Sequence, residues 1–375
     1  MNAPLDKILQ VGSGSRYVML ENTVGQRWFF PFKNMRAYMS LFQPSSQKGA
    51  IVAQSLPLLK YFPRLLHFVK AQMVLLDFDV RFINAIENAL DKPNITCSIF
   101  CGSPGRHMKP TLLLLSEGSC VGYCKLSDDA DVVELFKKEK STLDSLNKLG
   151  VRHIPRIVYC APWLDDAKLW LIVQTTERKN SVKVAKPADP KVMDFVRQMM
   201  KATKQKLRFE DTDYAQTLLN LESLLPLLCD KERERIVLEN IYMVRDKLQT
   251  REHDYSAFHG DLTPWNSFIV EEHLYAFDFE YFKWSYPLFA DYFHFFTQSQ
   301  IYDNYATGEQ IVSNYQRIKK GLLIDEADFL YSCYILAIME FYLNRDHGYL
   351  NERLKDIFGI WTYLLIHIKD DGDIQ

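Results

Sequence analysis

No stretch of about 18 or more apolar residues occurs in this chain of 375 residues, so no segment is long enough to cross a bilayer as a helix. The run Met73-Val74-Leu75-Leu76 is short and ends in acids. The opening residues, Met1-Asn2-Ala3-Pro4-Leu5-Asp6-Lys7, lack the basic-then-apolar pattern of a signal peptide. An excess of one charge is also missing. The net charge of -2 offers no electrostatic case for nucleic acid or an anionic membrane as partner. The seven cysteines are odd in number and form no framework, which points to reduced thiols and a cytoplasmic setting. Cys97/Cys101 and Cys120/Cys124 have the count for a zinc site. All four fall in apparent strands, however, where cysteine serves as a small buried apolar residue. A G-x-G-x-x-G run, an internal repeat and a low-complexity segment are likewise lacking.

What is present is an ordinary globular composition, 47% hydrophobic and 25% charged, in a chain long enough for two or three packed units. Its most informative stretch runs from His259 to Asp278. His259-Gly260-Asp261-Leu262-Thr263-Pro264-Trp265-Asn266 has the spacing H-x-D-L-x-x-x-N of a kinase catalytic loop. Phosphoryl transfer needs a carboxylate to orient the attacking hydroxyl and take its proton, the role for Asp261. It also needs a neutral oxygen ligand and a second carboxylate to hold Mg²⁺ against the phosphates, the roles for Asn266 and Asp278. Ser267–Val270 and Leu274–Phe277 predict two short strands turning at 271–273, a hairpin that would bring Asn266 and Asp278 to one end of its ladder.

With Asp278-Phe279-Glu280 following, this segment resembles the aminoglycoside phosphotransferase and choline kinase group, whose loop reads H-G-D-x-x-x-x-N before an apolar strand and D-x-E. Pro287 and Asp291 resemble the P-x-x-x-D segment that often follows in that group. The D-x-E in place of D-F-G, with no A-P-E segment, sets the chain apart from protein kinases. By layout the resemblance spans about 94–363, although its specific residues occupy a small part of that. It implies a two-lobed protein-kinase-like α+β fold: a five-stranded antiparallel N-lobe sheet plus a helix, a mainly helical C-lobe, and a site in the cleft between lobes. It further implies that the helix after the third N-lobe strand carries a Glu paired with a strand lysine.

In chain order, residues 1–92 read as an added N-terminal α+β extension. Strands are expected at 16–21 and 26–32 and helices at 34–42, 50–62, 64–72 and 80–90, with Gly12-Ser13-Gly14 as a hairpin turn. Residues 93–178 form the N-lobe. Strands at 95–100 and 110–115 flank the Gly-containing loop 101–106, and a third strand at 121–126 carries Lys125, the candidate phosphate-binding lysine. A helix over 132–149 offers Glu139 as its partner, or alternatively Glu134. Strands at 156–159 and 169–174 complete the sheet, and Gln174-Thr175-Thr176 take the hinge position facing adenine. Residues 179–375 form the helical C-lobe with the catalytic hairpin, its first helix opened by an Asp189 cap and Pro190.

The expected activity is therefore an ATP- and Mg²⁺-dependent phosphotransfer to a hydroxyl of a small molecule: a sugar, polyol, amino alcohol or aminoglycoside-like compound. Asp261 is the base and His259 orders its loop, with Glu280 and Trp284 as candidate substrate contacts. Glu280, Asp291, Glu340 and Asp346, with aromatic neighbours such as Tyr292 and Phe341, leave a cationic acceptor and a neutral sugar both open. The rival expectation is a nucleotide-binding pseudokinase or scaffold. The intact trio Asp261, Asn266 and Asp278 argues against it.

Overall fold

Thr111-Leu112-Leu113-Leu114-Leu115-Ser116 is apolar at four successive positions, the pattern of a short strand covered on both faces. In the computed structural model of the protein this strand sits inside an eight-stranded sheet. Leu112 and Leu114 enter one apolar cluster, and Leu113 and Leu115 the other. The structure describes residues 3–42, 47–102, 109–163, 166–179, 182–345 and 350–368. Most of the glycine-containing loop expected at 101–106 and the acid Asp346 lie outside the described residues. The chain divides into two compact units, residues 1–148 with 152–183, and residues 149–151 with 184–375.

The first unit contains β1 (Leu9–Glu21), β2 (Arg27–Pro31), β3 (Ala71–Phe78), β4 (Ile95–Phe100), β5 (Thr111–Ser116), β6 (Ser119–Ser127), β7 (Ile157–Trp163) and β8 (Asp166–Thr175). Their order is β3-β1-β2-β4-β5-β6-β8-β7, with every neighbouring pair antiparallel. The five strands expected between 95 and 175 are β4 to β8. The N-terminal segment does more than pack beside them. Pairing of Trp28 with Phe100 and Phe29 with Ile99 joins three further strands to the same sheet.

Helix Val80–Leu90 lays Phe82 and Ile86 over one face, against Cys97, Leu112, Cys124, Leu171 and Val173. Trp28, Phe30, Tyr38 and Leu56 cluster with Leu113 and Leu115 on the other. Cys97 and Cys124 thus act as small apolar residues. Burial pushes the Cys97 thiol up to about 12, the reverse of what a zinc thiolate needs.

Two local expectations fail in this unit. Gly12 and Gly14 do not form a hairpin turn. They lie inside β1, where the register to β3 shifts between Val11 and Ser15. Gly14 has φ +83°, and a Cβ there would stand 2.4 Å from the Leu76 carbonyl oxygen, so this is a bulge that tolerates only glycine. The helix expected over 64–72 stops early. Residues Pro63–Leu66 and His67–Val69 make single turns, and Lys70, at φ 53°, reverses the chain into β3. β3 is half-exposed at an edge, so pairing with β1 overrides the weak helical period.

In the second unit, helices Pro190–Thr203, Asp213–Leu224, Lys231–Leu248, Ala290–Gln298, Gly308–Leu322, Ala327–Arg345 and Glu352–His367 surround two small sheets. Asp189 caps the first helix by accepting the Lys191 N–H, with Pro190 at its first position. Helix Ala327–Arg345 is apolar on nearly every side and runs through the core. β9 (Gln205–Leu207), β10 (His253–Phe258) and β13 (Lys283–Pro287) form one sheet in the order β13-β10-β9, and β11 (Ser267–Val270) pairs with β12 (His273–Ala276). None of β9, β10 and β13 was expected from the sequence. Among the described residues no helix is long and apolar enough to cross a membrane.

Candidate functional site

β10 ends at Phe258, and its pairing with β13 fixes the point at which the next residue leaves the sheet. That residue, His259, is fully buried. Its backbone N–H donates to both oxygens of Asp291, at 3.0 and 2.9 Å. Its ring is tied at both nitrogens. Nε2 lies 3.1 Å from the Phe277 carbonyl oxygen, and Nδ1 lies 3.3 Å from the backbone N of Asp261. Only a ring protonated on Nε2 alone satisfies both contacts. Burial holds the imidazole pKa down at about 4, so that neutral form persists at pH 7. His259 therefore ties the loop to the hairpin.

Gly260 has φ +87°, and a Cβ would meet the Tyr281 carbonyl oxygen at 2.6 Å. This packing accounts for glycine at a position where protein kinases carry arginine. Asp291, buried in the first turn of helix Ala290–Gln298, accepts the N–H groups of His259 and Gly260. Burial raises its carboxyl to about 7, and those two N–H groups pull the other way.

Asp261 presents each carboxylate oxygen to a separate donor. Asn266 Nδ2 is 2.6 Å from Oδ2, and His294 Nε2 is 3.4 Å from Oδ1. The side chain remains 32% exposed. Burial of the remainder raises its pKa above the usual carboxylate range, the His294 and Asn266 bonds oppose this, and the charge of Asp278 adds to it. His294 itself is 2% exposed, and its Nδ1 has no partner among the described residues. It was not anticipated from sequence. The cue was legible, since a histidine within Tyr292-Phe293-His294-Phe295-Phe296, one turn after Asp291, shares that residue's helix face and needs a polar partner.

Val270 pairs with His273, so the hairpin turn is Glu271-Glu272, one residue shorter than expected, with Glu271 at φ 52°. The Phe277 N–H donates to the Asn266 carbonyl at 3.1 Å, which puts Asn266 and Asp278 at the same end of the ladder. Asp278 has φ 72°, a left-handed conformation that Asp tolerates better than most residues. Because Nδ2 of Asn266 faces Asp261, the amide oxygen is turned to the other side.

In the first unit, Asp129 Oδ1 accepts the N–H groups of Asp131 and Val132 at the start of helix Ala130–Lys148. The helix buries Val132, Phe136, Glu139, Leu143 and Leu146 along one stripe. A carboxylate in that stripe requires a cation, and Lys125 of β6 supplies it. Nζ is 3.2 and 3.1 Å from the two Glu139 oxygens, with the side chains 7% and 1% exposed. Glu134 instead pairs with Lys137 at the surface.

Gln174 is buried, its backbone paired with Tyr123 on one side and Ile157 on the other. Thr175 gives its N–H to Arg156 and accepts the Arg156 N–H on its hydroxyl. The Thr176 hydroxyl accepts the Arg178 N–H. Two of the three expected hinge residues thus already commit backbone groups to the sheet.

An antiparallel sheet bearing a lysine–glutamate pair with its helix and a helical unit bearing the H-G-D and D-x-E hairpin occur in one chain. The fold is protein-kinase-like, α+β. No protein-family model matches the sequence, and no curated protein matches it. Solved structures do match. A Haemophilus somnus protein described as a fructosamine-3-kinase aligns over 76% of this chain and 96% of its own, with TM-score 0.46 and 11% identity. An amicoumacin kinase complexed with AMP-PNP and Ca²⁺ aligns over 77% and 93%, with TM-score 0.47 and 14% identity. A thermostable mutant of an aminoglycoside phosphotransferase, in a ternary complex with ADP and hygromycin B, aligns over 76% and 98%, with TM-score 0.48 and 10% identity.

The candidate substrate contacts are placed unevenly. Glu280 is buried two residues beyond Asp278. Trp284 lies in β13, where its N–H donates to Asp213, its carbonyl accepts from Gln205 and its ring abuts Phe282. Those contacts anchor it to the three-stranded sheet and not to the catalytic loop. Asp291 is committed to the loop backbone. Glu340 is 9% exposed, and burial raises its pKa, with Lys283 and Asn220 opposing.

Proposed function

We propose that the protein is an ATP-dependent phosphotransferase that moves the γ-phosphate to a hydroxyl of a small molecule. The observation that carries this reading is the doubly held Asp261 carboxylate, part-exposed and raised in pKa, with Asp278 beside it in the same electrostatic field. A carboxylate of raised pKa accepts a hydroxyl proton more readily, and two fixed donors orient the lone pair that receives it. His259 and Asp291 both hold the loop backbone, so Asp261 need not reorganise as the proton arrives.

The Asn266 amide oxygen and the Asp278 carboxylate form a hard oxygen donor set of the kind Mg²⁺ takes, and the orientation of the amide supports that fit. When bound with ATP, the metal would neutralise charge developing on the phosphates. Lys125, steadied by Glu139, offers a point charge to the nucleotide phosphates. Because the Thr175 N–H is already bonded to Arg156, contact with the adenine edge falls to Thr176 and the residues after it.

ADP release measured with Mg²⁺·ATP across a panel of hydroxyl compounds tests the proposal. At least one acceptor should be turned over, and Asp261→Asn should lower that rate by about a thousandfold while nucleotide still binds. Bound ATP with no turnover of any acceptor would favour the scaffold reading. Turnover that survives Asp261→Asn would remove Asp261 from the chemistry.

A further inference from the structure

A charge separation divides the sequence. Residues 22–76 hold seven Lys and Arg and neither Asp nor Glu, so the remainder of a chain with net charge -2 carries -9. The near-neutral total, which offers no case for an anionic membrane, averages over this division. The basic span runs from the turn after β1 into β3, within the first unit. Lys33, Arg36, Lys48, Arg64 and Lys70 are exposed, and among the described residues none of the five is held in an ion pair. Residues 43–46 are Gln-Pro-Ser-Ser and bring no acid to the span. Of the acids that border it, Glu21 gives its N–H to the Lys70 carbonyl and pairs its carboxylate with Arg27 at 3.0 Å. Glu117 is exposed beside Gly118, which shares a recess with Arg36 and Lys60. Glu177 lies 3.1 Å from His153, and its neighbour Arg178 donates to the Ser40 carbonyl.

The same span turns apolar side chains outward. Leu58, Tyr61, Phe62, Leu65 and Phe68 are each 42–75% exposed. They sit where helix Gln47–Leu59 ends and the single turns Pro63–Leu66 and His67–Val69 follow. Leu56 and Leu66 enter the core beneath, so the outward set is carried on folded structure. Lys60 stiffens the junction. Its ammonium donates to the Phe32 carbonyl at 2.6 Å and lies over the Phe32 and Tyr61 rings at 4.8 and 5.0 Å, with the residue 7% exposed. Scattered single apolar residues are normal on a surface, but five within so short a stretch are not. Between Tyr61 and Lys70 only Leu66 and Val69 are not exposed. A segment bared at so many positions can sink its side chains into a soft boundary, whereas a protein partner would have to supply a matching cavity for each. Aromatic rings and leucines ringed by cations of uncancelled charge suit the face of an anionic bilayer. The rings settle at the headgroup–acyl boundary, and Lys and Arg reach the phosphates.

We propose that residues 57–70 dock the protein on an anionic lipid bilayer, with Leu58, Tyr61, Phe62, Leu65 and Phe68 entering the headgroup–acyl boundary and Arg36, Arg64 and Lys70 facing the headgroups. No described helix is long and apolar enough to cross a membrane, so the contact made here is peripheral. It is independent of the phosphotransferase reading.

Co-sedimentation of the full chain with phosphatidylcholine vesicles, and with the same vesicles containing about 30% phosphatidylserine, tests it. The anionic vesicles should bind the chain at least about tenfold more strongly, and about 0.5 M salt should remove most of that difference. Neither measurement needs a substitution. Phe62→Ser with Phe68→Ser, and Arg36→Gln with Arg64→Gln, change exposed side chains, so the melting temperature should stay at that of the parent. Each pair should weaken binding to the anionic vesicles at least about tenfold. Arg235→Gln, at an exposed cation of the second unit, should leave that binding unchanged. Equal binding to neutral and anionic vesicles, no binding to either, or binding that survives both pairs of substitutions overturns the proposal. An equal loss with Arg235→Gln overturns it as well, because the effect would then follow total charge and not this face. A shift in oligomeric state caused by the phenylalanine pair, without vesicle binding by the parent, would give the face to a second copy of the chain instead.

Discussion

His294 Nε2 lies 3.4 Å from Asp261 Oδ1, opposite the Asn266 amide that takes Oδ2. On the proposed function, His294 has a positioning role toward the base. His294→Ala should lower kcat by about ten- to a hundredfold and leave KM for ATP within about twofold. The histidine bond lowers the Asp261 pKa, so removing it should move the acid limb of the kcat–pH profile to higher pH. A kcat loss with an unmoved acid limb would mean that His294 acts only by packing.

Asp278→Ala should raise the Mg²⁺ concentration needed for half-maximal nucleotide binding by about tenfold or more, because loss of a carboxylate ligand removes both charge and geometry. A Mg²⁺ titration of nucleotide binding is the readout. An unchanged midpoint would take Asp278 out of the metal site.

Lys125 and Glu139 form a buried pair, and breaking it from one side strands a charge. Lys125→Met should cost about 3–5 kcal/mol in the unfolding free energy of the first unit. Lys125→Met combined with Glu139→Leu should recover most of that stability, since both groups become apolar, yet should not recover ATP use. Chemical denaturation and KM for ATP measured on both variants separate the structural role from the nucleotide role. Recovery of activity in the double variant would dismiss Lys125 as a phosphate ligand.

Gly260→Ala should destabilise the second unit by more than about 2 kcal/mol, because the added Cβ meets the Tyr281 carbonyl and the backbone conformation is one that L side chains avoid. A melting temperature within a degree or two of the parent would show that the loop can shift aside.

Asp291 supplies a pH test. Its pKa in the folded chain, about 7, is above the unfolded value near 3.8. The native state therefore holds the extra proton more tightly, and the stability gained from it is complete below about pH 4 and lost as pH rises toward 7. His259 runs the other way. Its folded pKa of about 4 is below the ordinary 6.5, so its contribution grows over much of the same range. The parent should therefore show a flattened profile. Asp291→Asn removes one of the opposing slopes, and its stability relative to the parent should rise by roughly 1 kcal/mol per pH unit between pH 4 and 7. Parallel profiles would place the Asp291 pKa near its usual value.

The arrangement of the candidate site was legible in the sequence because it is local. Asp261, Asn266 and Asp278 are joined by one tight hairpin, so spacing along the chain nearly sets spacing in three dimensions. Strand and helix identity in 95–175 was legible for a similar reason: apolar runs and the stripe of helix Ala130–Lys148 carry their own period. The stripe could not say which glutamate meets Lys125. Glu134 and Glu139 differ in which side of the helix faces the sheet, and packing decides that. Tertiary structure also decided what distant segments contribute. β1, β2 and β3 join the central sheet only through contacts made across the chain, and His294 meets Asp261 from 33 residues away. Local pattern reports which face of an element is buried. It carries no information about which partner lies on that face, because burial rewards apolar area without regard to its source.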